Sequence, residues 1–249
     1  MRVSPQIHLV ASGNVGFSLT DKFDCNAWLI ETGDGLVLFD AGAGRDIASI
    51  FAELTTNGLD PADIKHIFLT HAHADHSGGV APILDQLSRP VTLYAGEEAA
   101  ARMQSHDETR ISLDTARRFG VYPESYRWQG ATVDTVLADD AVIHIGEASI
   151  RLLKTPGHSA DHCSYLVTLS GKTMLVSGDA LFAGGTVFLQ DIPDCSFTAT
   201  IATVRRLSNL TFDMFLPGHG AFALKEGMRH VRRAADFAER GLAPPNFGG

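Results

Sequence analysis

Apolar and polar positions fall in short blocks along this chain, and the blocks switch between a two-residue and a helical period. Residues 10–19 and 25–31 read as strands, and Gly33-Asp34-Gly35 supplies a turn into the apolar run 36–39, which stops at Asp40. Ile47, Ile50, Phe51 and Leu54 recur at helical spacing until Asn57-Gly58 ends the pattern. Beyond Asp60-Pro61, the β-branched and aromatic run 64–69 predicts a buried strand that leads straight into His71. A helix over 78–87 and a strand over 91–94 follow. A charged, alanine-rich helical stretch over 97–120 then runs into a loop bearing Tyr122, Tyr126 and Trp128, and insertions of that size usually cover something. Strands return at 133–137, 141–145 and 150–154, and a hairpin joins 163–169 to 173–176 through Ser170-Gly171-Lys172. A helix over 199–207, a strand over 212–216 and an amphipathic helix over 225–240 complete the pattern, and residues 243–249 read as a frayed tail.

No linker and no internal repeat interrupts this series, so residues 1–249 are read as one α/β domain with an insertion at about 97–130. The balance of 20 Lys+Arg against 29 Asp+Glu leaves a net charge of −9, and no dense basic run offers a footprint for a nucleic acid or an anionic membrane. No apolar stretch approaches the ~20 residues that span a bilayer, and no secretory leader is legible. Cys25, Cys163 and Cys195 are widely spaced and odd in number, which predicts free thiols and a cytoplasmic location. The expected partner is a small-molecule substrate; the sequence does not indicate an oligomeric state.

The polar residues at strand ends carry the chemistry. Asp40, the cluster His71-Ala72-His73-Ala74-Asp75-His76, then His158, Asp179 and His219 each lie just past a predicted strand, among small residues that let the backbone fold closely around an ion. Imidazole and carboxylate donors suit zinc, iron or manganese, and no cysteine is required. Five imidazoles and two carboxylates exceed the needs of one tetrahedral ion, and three buried polar groups left over would each cost about 1–3 kcal/mol. Two ions use them all.

This ordered set resembles that of the metallo-β-lactamase-fold hydrolases, of the glyoxalase II and lactonase type, over most of the chain. The resemblance implies a four-layer αββα sandwich. It also implies that His71, His73 and His158 hold one ion, that Asp75, His76 and His219 hold a second, and that Asp179 bridges them. Asp40 would be an acceptor orienting a ligand ring, and Asp75 also the catalytic carboxylate. The cofactor expected is a pair of divalent ions, zinc first, with iron or manganese as alternatives. His162 is read as a non-ligand because the coordination set closes without it. His8, His66, His106, His144 and His230 read as surface or core residues, Cys195 as a structural thiol, and Lys225, Arg229, Arg232 and Arg233 as a solvated helix face.

The expected activity is hydrolysis of a thioester, lactone or related ester by a hydroxide shared between the two ions, with no acyl-enzyme; no G-x-S-x-G elbow is present. Only 30 residues follow His219, which weakens a glutathione thioester, and Phe182 stands where acyl-homoserine lactonases place a tyrosine. Phe182, Val187, Phe188 and Leu189, with the loop at Tyr126 and Trp128, are read as a cleft wall for an apolar acyl part. The alternatives are a mononuclear iron persulfide dioxygenase, a non-catalytic binding module and a β-lactamase.

Overall fold

Most of the β-branched and aromatic runs form strands where the period predicts them, with the run over 10–19 as an exception. The computed structural model describes residues 1–247, and the chain divides into two compact units, one ending at Leu137 and the other beginning at Ala138. In the first unit, strands β1 (Arg2–Ser4), β2 (Ile7–Ala11), β3 (Ala27–Glu31), β4 (Leu36–Phe39), β5 (Ile64–Phe68), β6 (Thr92–Gly96) and β7 (Thr135–Leu137) build one sheet in sequential order. Antiparallel pairing through β4 gives way to parallel pairing from β4 to β7. The inner strand β4 is buried at every position, as a strand covered on both faces must be.

The helices of this unit are α1 (Ile47–Thr56), α2 (Ala74–Ser77), α3 (Val80–Gln86), α4 (Glu97–Ser105) and α5 (Leu113–Arg118). Asp46 caps α1 by accepting from the Ser49 amide at 3.1 Å, and Ile47, Ile50 and Leu54 point into a core shared with Val10, Leu29, Leu38 and Ile67. The strand expected over 10–19 stops at Ala11. Beyond it the polar side chains satisfy a turn instead: Ser12 Oγ donates to Asn26 Oδ1 at 2.7 Å and accepts from the Phe17 amide at 2.7 Å. The insertion forms α4, a short 3-10 turn at Glu108–Ile111 and α5, clasped by Arg117, whose guanidinium reaches both oxygens of Glu108 at 2.7 and 2.9 Å.

The second unit carries a sheet of β8 (Val142–Ile145), β9 (Ala148–Lys154), β10 (Cys163–Leu169), β11 (Lys172–Gly178) and β12 (Met214–Pro217) in the order β12-β11-β10-β9-β8, with only β11 and β12 parallel. Helices α6 (Phe197–Ser208) and α7 (Met228–Glu239) bury Val204, Leu207, Val231 and Ala234 against Leu153, Leu175 and Phe215. The tail expected to fray is fixed as far as residue 247. Val187 N donates to Pro245 O at 3.0 Å, Phe247 N donates to Val187 O at 2.7 Å, and the Asn246 amide pairs with both main-chain groups of Leu189. Residues 248 and 249 lie outside the described residues. Among those described, the three cysteines are free thiols, and no helix is long and apolar enough to cross a membrane.

Candidate metal centre

Parallel pairing of β4 and β5 brings their C-terminal ends side by side, and that places Asp40 next to the segment that follows β5. Asp40 adopts a left-handed backbone (φ 59°) and is 2 % exposed. Its Oδ1 accepts from the Thr70 amide at 2.8 Å, while Oδ2 accepts from Thr70 Oγ1 at 2.8 Å and from His76 Nδ1 at 2.8 Å. Thr70 Oγ1 also lies 2.9 Å from His71 Nδ1. A hydroxyl has one proton, and here it goes to the Asp40 carboxylate, so His71 Nδ1 must be the donor in that contact. Both rings therefore carry their proton on Nδ1 and keep the lone pair on Nε2, as ligands require.

The same loop holds His71, His73 and His76 as a cluster, with ring centroids 4.6 Å apart for His71 and His73 and 4.2 Å apart for His71 and His76. Asp75 Oδ2 stands 3.7 Å from His76 Nε2. The insertion braces this loop. Tyr126 Oη donates to Ala43 O at 2.7 Å, and Trp128 Nε1 donates to Ser77 Oγ at 2.8 Å, while Ser77 Oγ donates to Ala72 O at 2.8 Å. Tyr126 and Trp128 are thus buried supports of the histidine loop, which corrects their reading as cleft wall. Cys25 and the Asp40–His76 pair come within metal-ligand reach of one another, but Asp40 engages His76 through Nδ1, and burial pushes the Cys25 thiol up to about 12.

In the second unit β9 and β11 both run antiparallel to β10, and β12 runs parallel to β11, so the C-terminal ends of all three reach one edge of the sheet. His158, Asp179 and His219 follow those ends. Asp179 Oδ2 stands 3.5 Å from His158 Nε2 and 3.6 Å from His219 Nε2. His158 Nδ1 lies 3.2 Å from the Phe188 carbonyl, which can only accept, so this ring too keeps its lone pair on Nε2. The loop bearing His158 needs Gly157, whose φ is 148° and where a Cβ would stand 2.5 Å from Thr200 Oγ1. Helix α6 seals that loop, for Thr203 Oγ1 donates to Pro156 O at 2.7 Å and Ser196 N to Gly157 O at 2.7 Å.

His162 has a different task from its neighbours. Its Nε2 accepts the Asp179 amide at 2.9 Å, so its proton sits on Nδ1 and goes to Thr155 Oγ1 at 2.9 Å. Thr155 Oγ1 in turn meets Ser164 Oγ at 2.9 Å, and Ser164 Oγ donates to Ser177 O at 3.1 Å. This buried relay ties the residue bearing the Asp179 carboxylate to β10 and β11, and the nitrogen that could serve a metal is used. His162→Phe is expected to weaken metal binding by about 10–100-fold with the fold retained. His162→Gln, which can both accept and donate, is expected to recover part of it. Competition with a chromogenic chelator reads the affinity and circular dichroism the fold; full affinity in His162→Phe would contradict the assignment.

The donor chemistry fits divalent ions. Two ligands each about 2.0–2.1 Å from one tetrahedral ion stand roughly 3.3–3.4 Å apart, and the nitrogen-to-carboxylate separations of 3.5–3.7 Å within each unit lie just above that range. Of the other singled-out residues, Phe182 is fully buried and Val187 nearly so, which removes both from any cleft wall. Cys195 is half-buried and its Sγ accepts from the Gln190 amide at 3.4 Å. His230 Nδ1 accepts from the Gly184 amide, and His8 Nε2 meets Glu31 Oε1 at 2.8 Å, so both rings make contacts outside the histidine cluster. Sequence reasoning missed Thr70, the role of His162 and the Phe188 carbonyl. Only the first carried a signal, a hydroxyl directly before the first candidate ligand.

The model of the metallo-beta-lactamase superfamily matches residues 20–219. An acyl-coenzyme A thioesterase of Bos taurus is 28% identical over 88% of this chain and 85% of its own. An atrochrysone carboxyl ACP thioesterase of Aspergillus fumigatus is 24% identical over 96% of this chain and 63% of its own. A metallo-β-lactamase of Cronobacter sakazakii, solved as a mutant of its HARLDQ motif, superposes with a TM-score of 0.71 at 23% identity, covering 96% of this chain and 95% of that one. This chain spans 55–63% of the length of several of the curated relatives it matches.

Proposed function

The chain belongs to the metallo-β-lactamase superfamily, and from that membership we propose that it is a metal-dependent hydrolase of thioesters. His71, His73 and His158 hold one divalent ion, Asp75, His76 and His219 a second, and Asp179 is shared by both. The ions, zinc in preference to iron or manganese, supply a polarised carbonyl and a hydroxide available at neutral pH. The protein's own part is to present donors already in the right protonation state. Asp40 and Thr70 fix the protons of His71 and His76 on Nδ1, and the Phe188 carbonyl does the same for His158. His162 holds the Asp179 main chain, so its carboxylate need not reorganise when the ions arrive. The observation that carries the reading is this set of three rings, each locked by a separate acceptor into the ligand tautomer.

The thioester class rests on the two thioesterase relatives; a glyoxalase II-like activity is a narrower option within it, and a lactonase-like activity is the alternative beside it. Thiol release from an acyl-coenzyme A, with lactone, phosphoester and β-lactam substrates alongside, tests it. Chelation is expected to abolish thiol release and added zinc to restore it, with about two metal equivalents per chain by elemental analysis. Turnover by metal-stripped protein, or a preference for one of the other substrates, would overturn it. Oxygen consumption with one iron per chain would point to the dioxygenase instead.

A further inference from the structure

Between β11 and α6 the chain turns through Phe182 and Phe188, and the segment Pro245–Phe247 returns to pair with it. Phe188 stacks on the His158 ring, with centroids 5.8 Å apart and planes at 21°. Phe247 stacks on the buried Phe182 at 4.3 Å and meets Phe188 edge-on at 6.3 Å. It also lies over Gly220, the residue after His219, where an added Cβ would stand 3.1 Å from the ring. Phe188 and Phe247 are both half-exposed. An aromatic surface therefore runs from one ligand histidine to the neighbourhood of the other.

This surface is rigid and apolar. Phe182 backs it from the core, the main chain on both sides is hydrogen-bonded, and the Asn246 amide is spent on Leu189. Holding two large rings partly in water costs free energy unless a ligand covers them. We propose that Phe188 and Phe247 form the wall that receives the apolar acyl group of the substrate, a chain of several carbons whose carbonyl lies at His158 and Asp179. This rests on the thioester reading above and narrows it to medium-chain acyl thioesters. It also gives the 245–247 segment a role in specificity.

The test is the ratio of kcat/KM for octanoyl- over acetyl-coenzyme A. Phe247→Ala and Phe188→Ala are each expected to lower that ratio about tenfold, and Phe247→Leu, which keeps apolar bulk, to hold it within about threefold of wild type. A ratio unmoved by both alanine variants overturns the wall. A second arm needs no turnover: calorimetric binding of octanoate and of acetate to the metal-loaded protein. Octanoate is expected to bind tighter to wild type, and the preference to vanish in the alanine variants. If no thioester is cleaved but this preference still depends on the two rings, the thioester reading fails and the wall stands. If thioesters are cleaved and neither the ratio nor the acid preference depends on the rings, the wall fails and the thioester reading stands.

Discussion

Asp179→Ala is expected to bind no more than one metal equivalent per chain and to lose about 10³-fold in kcat/KM, roughly 4 kcal/mol of transition-state stabilisation. The size of the effect follows from position. One oxygen of this carboxylate stands 3.5 Å from His158 Nε2 and 3.6 Å from His219 Nε2, and in the proposed site those two rings serve different ions. Removing the carboxylate thus removes a ligand from both and leaves their mutual repulsion less screened. The substitution is clean, because the Asp179 contact with His162 is made by the main-chain amide and survives in alanine. The loss then reports the carboxylate and not a displaced loop. Elemental analysis and thiol-release kinetics check it; two ions retained with a rate within tenfold of wild type would remove Asp179 from its bridging role. Asp179→Asn keeps an oxygen and the shape and is expected to fall between the two.

The proposed ligands could be picked out in the sequence because each sits where an apolar run stops, and parallel or alternating strand directions carry those stops to one sheet edge in each unit. Asp40 could be placed for the same reason, as the acid that ends the run 36–39. What the sequence did not reveal has a common cause. The Phe188 carbonyl that sets the His158 tautomer is a backbone atom, and every residue has one. His162 reads as a non-ligand from the coordination count alone, but its task, accepting the amide of Asp179 seventeen residues further on, has no local signal. The aromatic loop at Tyr126 and Trp128 carries the composition of a cleft wall, yet the phenol and indole protons find buried acceptors beneath the histidine loop. Phe247 sits in a proline- and glycine-rich tail whose composition predicts fraying, and it is held by its bond to Val187, by the pairing of Asn246 with Leu189 and by its stacking on Phe182. Period and composition report which side chains seek burial; they do not report which distant main-chain group each polar atom meets.

Asp40→Asn is expected to lower metal affinity by about 100-fold and activity by at least as much, through the exchange of one oxygen for an NH₂ group that leaves the side chain's shape intact. With Asn, the oxygen must stay on the Thr70 amide, since turning the carboxamide would set two donors against each other at 2.8 Å. The NH₂ group then occupies the place of Oδ2, where Thr70 Oγ1 and His76 Nδ1 had both been donating. Both contacts must reverse. His76 can keep its bond only by accepting on Nδ1, which moves its proton to Nε2, the ligand nitrogen. Thr70 Oγ1 must accept from the new amide and turn its own proton to His71 Nδ1, 2.9 Å away, which moves the proton of that ring to Nε2 as well. One substitution therefore puts two ligands, one for each proposed ion, into the wrong tautomer. Asp40→Ala behaves differently. It strands buried donors and costs about 1–3 kcal/mol of stability for each, but it offers no donor to push the rings over, so His71 and His76 can keep their protons on Nδ1. The expected order is that the alanine variant melts lower while the asparagine variant binds metal more weakly. Nitrogen-15 shifts of the histidine rings read the tautomers directly, in a way that a merely loosened loop would not mimic. An asparagine variant whose rings remain protonated on Nδ1, or one that binds zinc more tightly than the alanine variant, would show that Asp40 acts by packing alone.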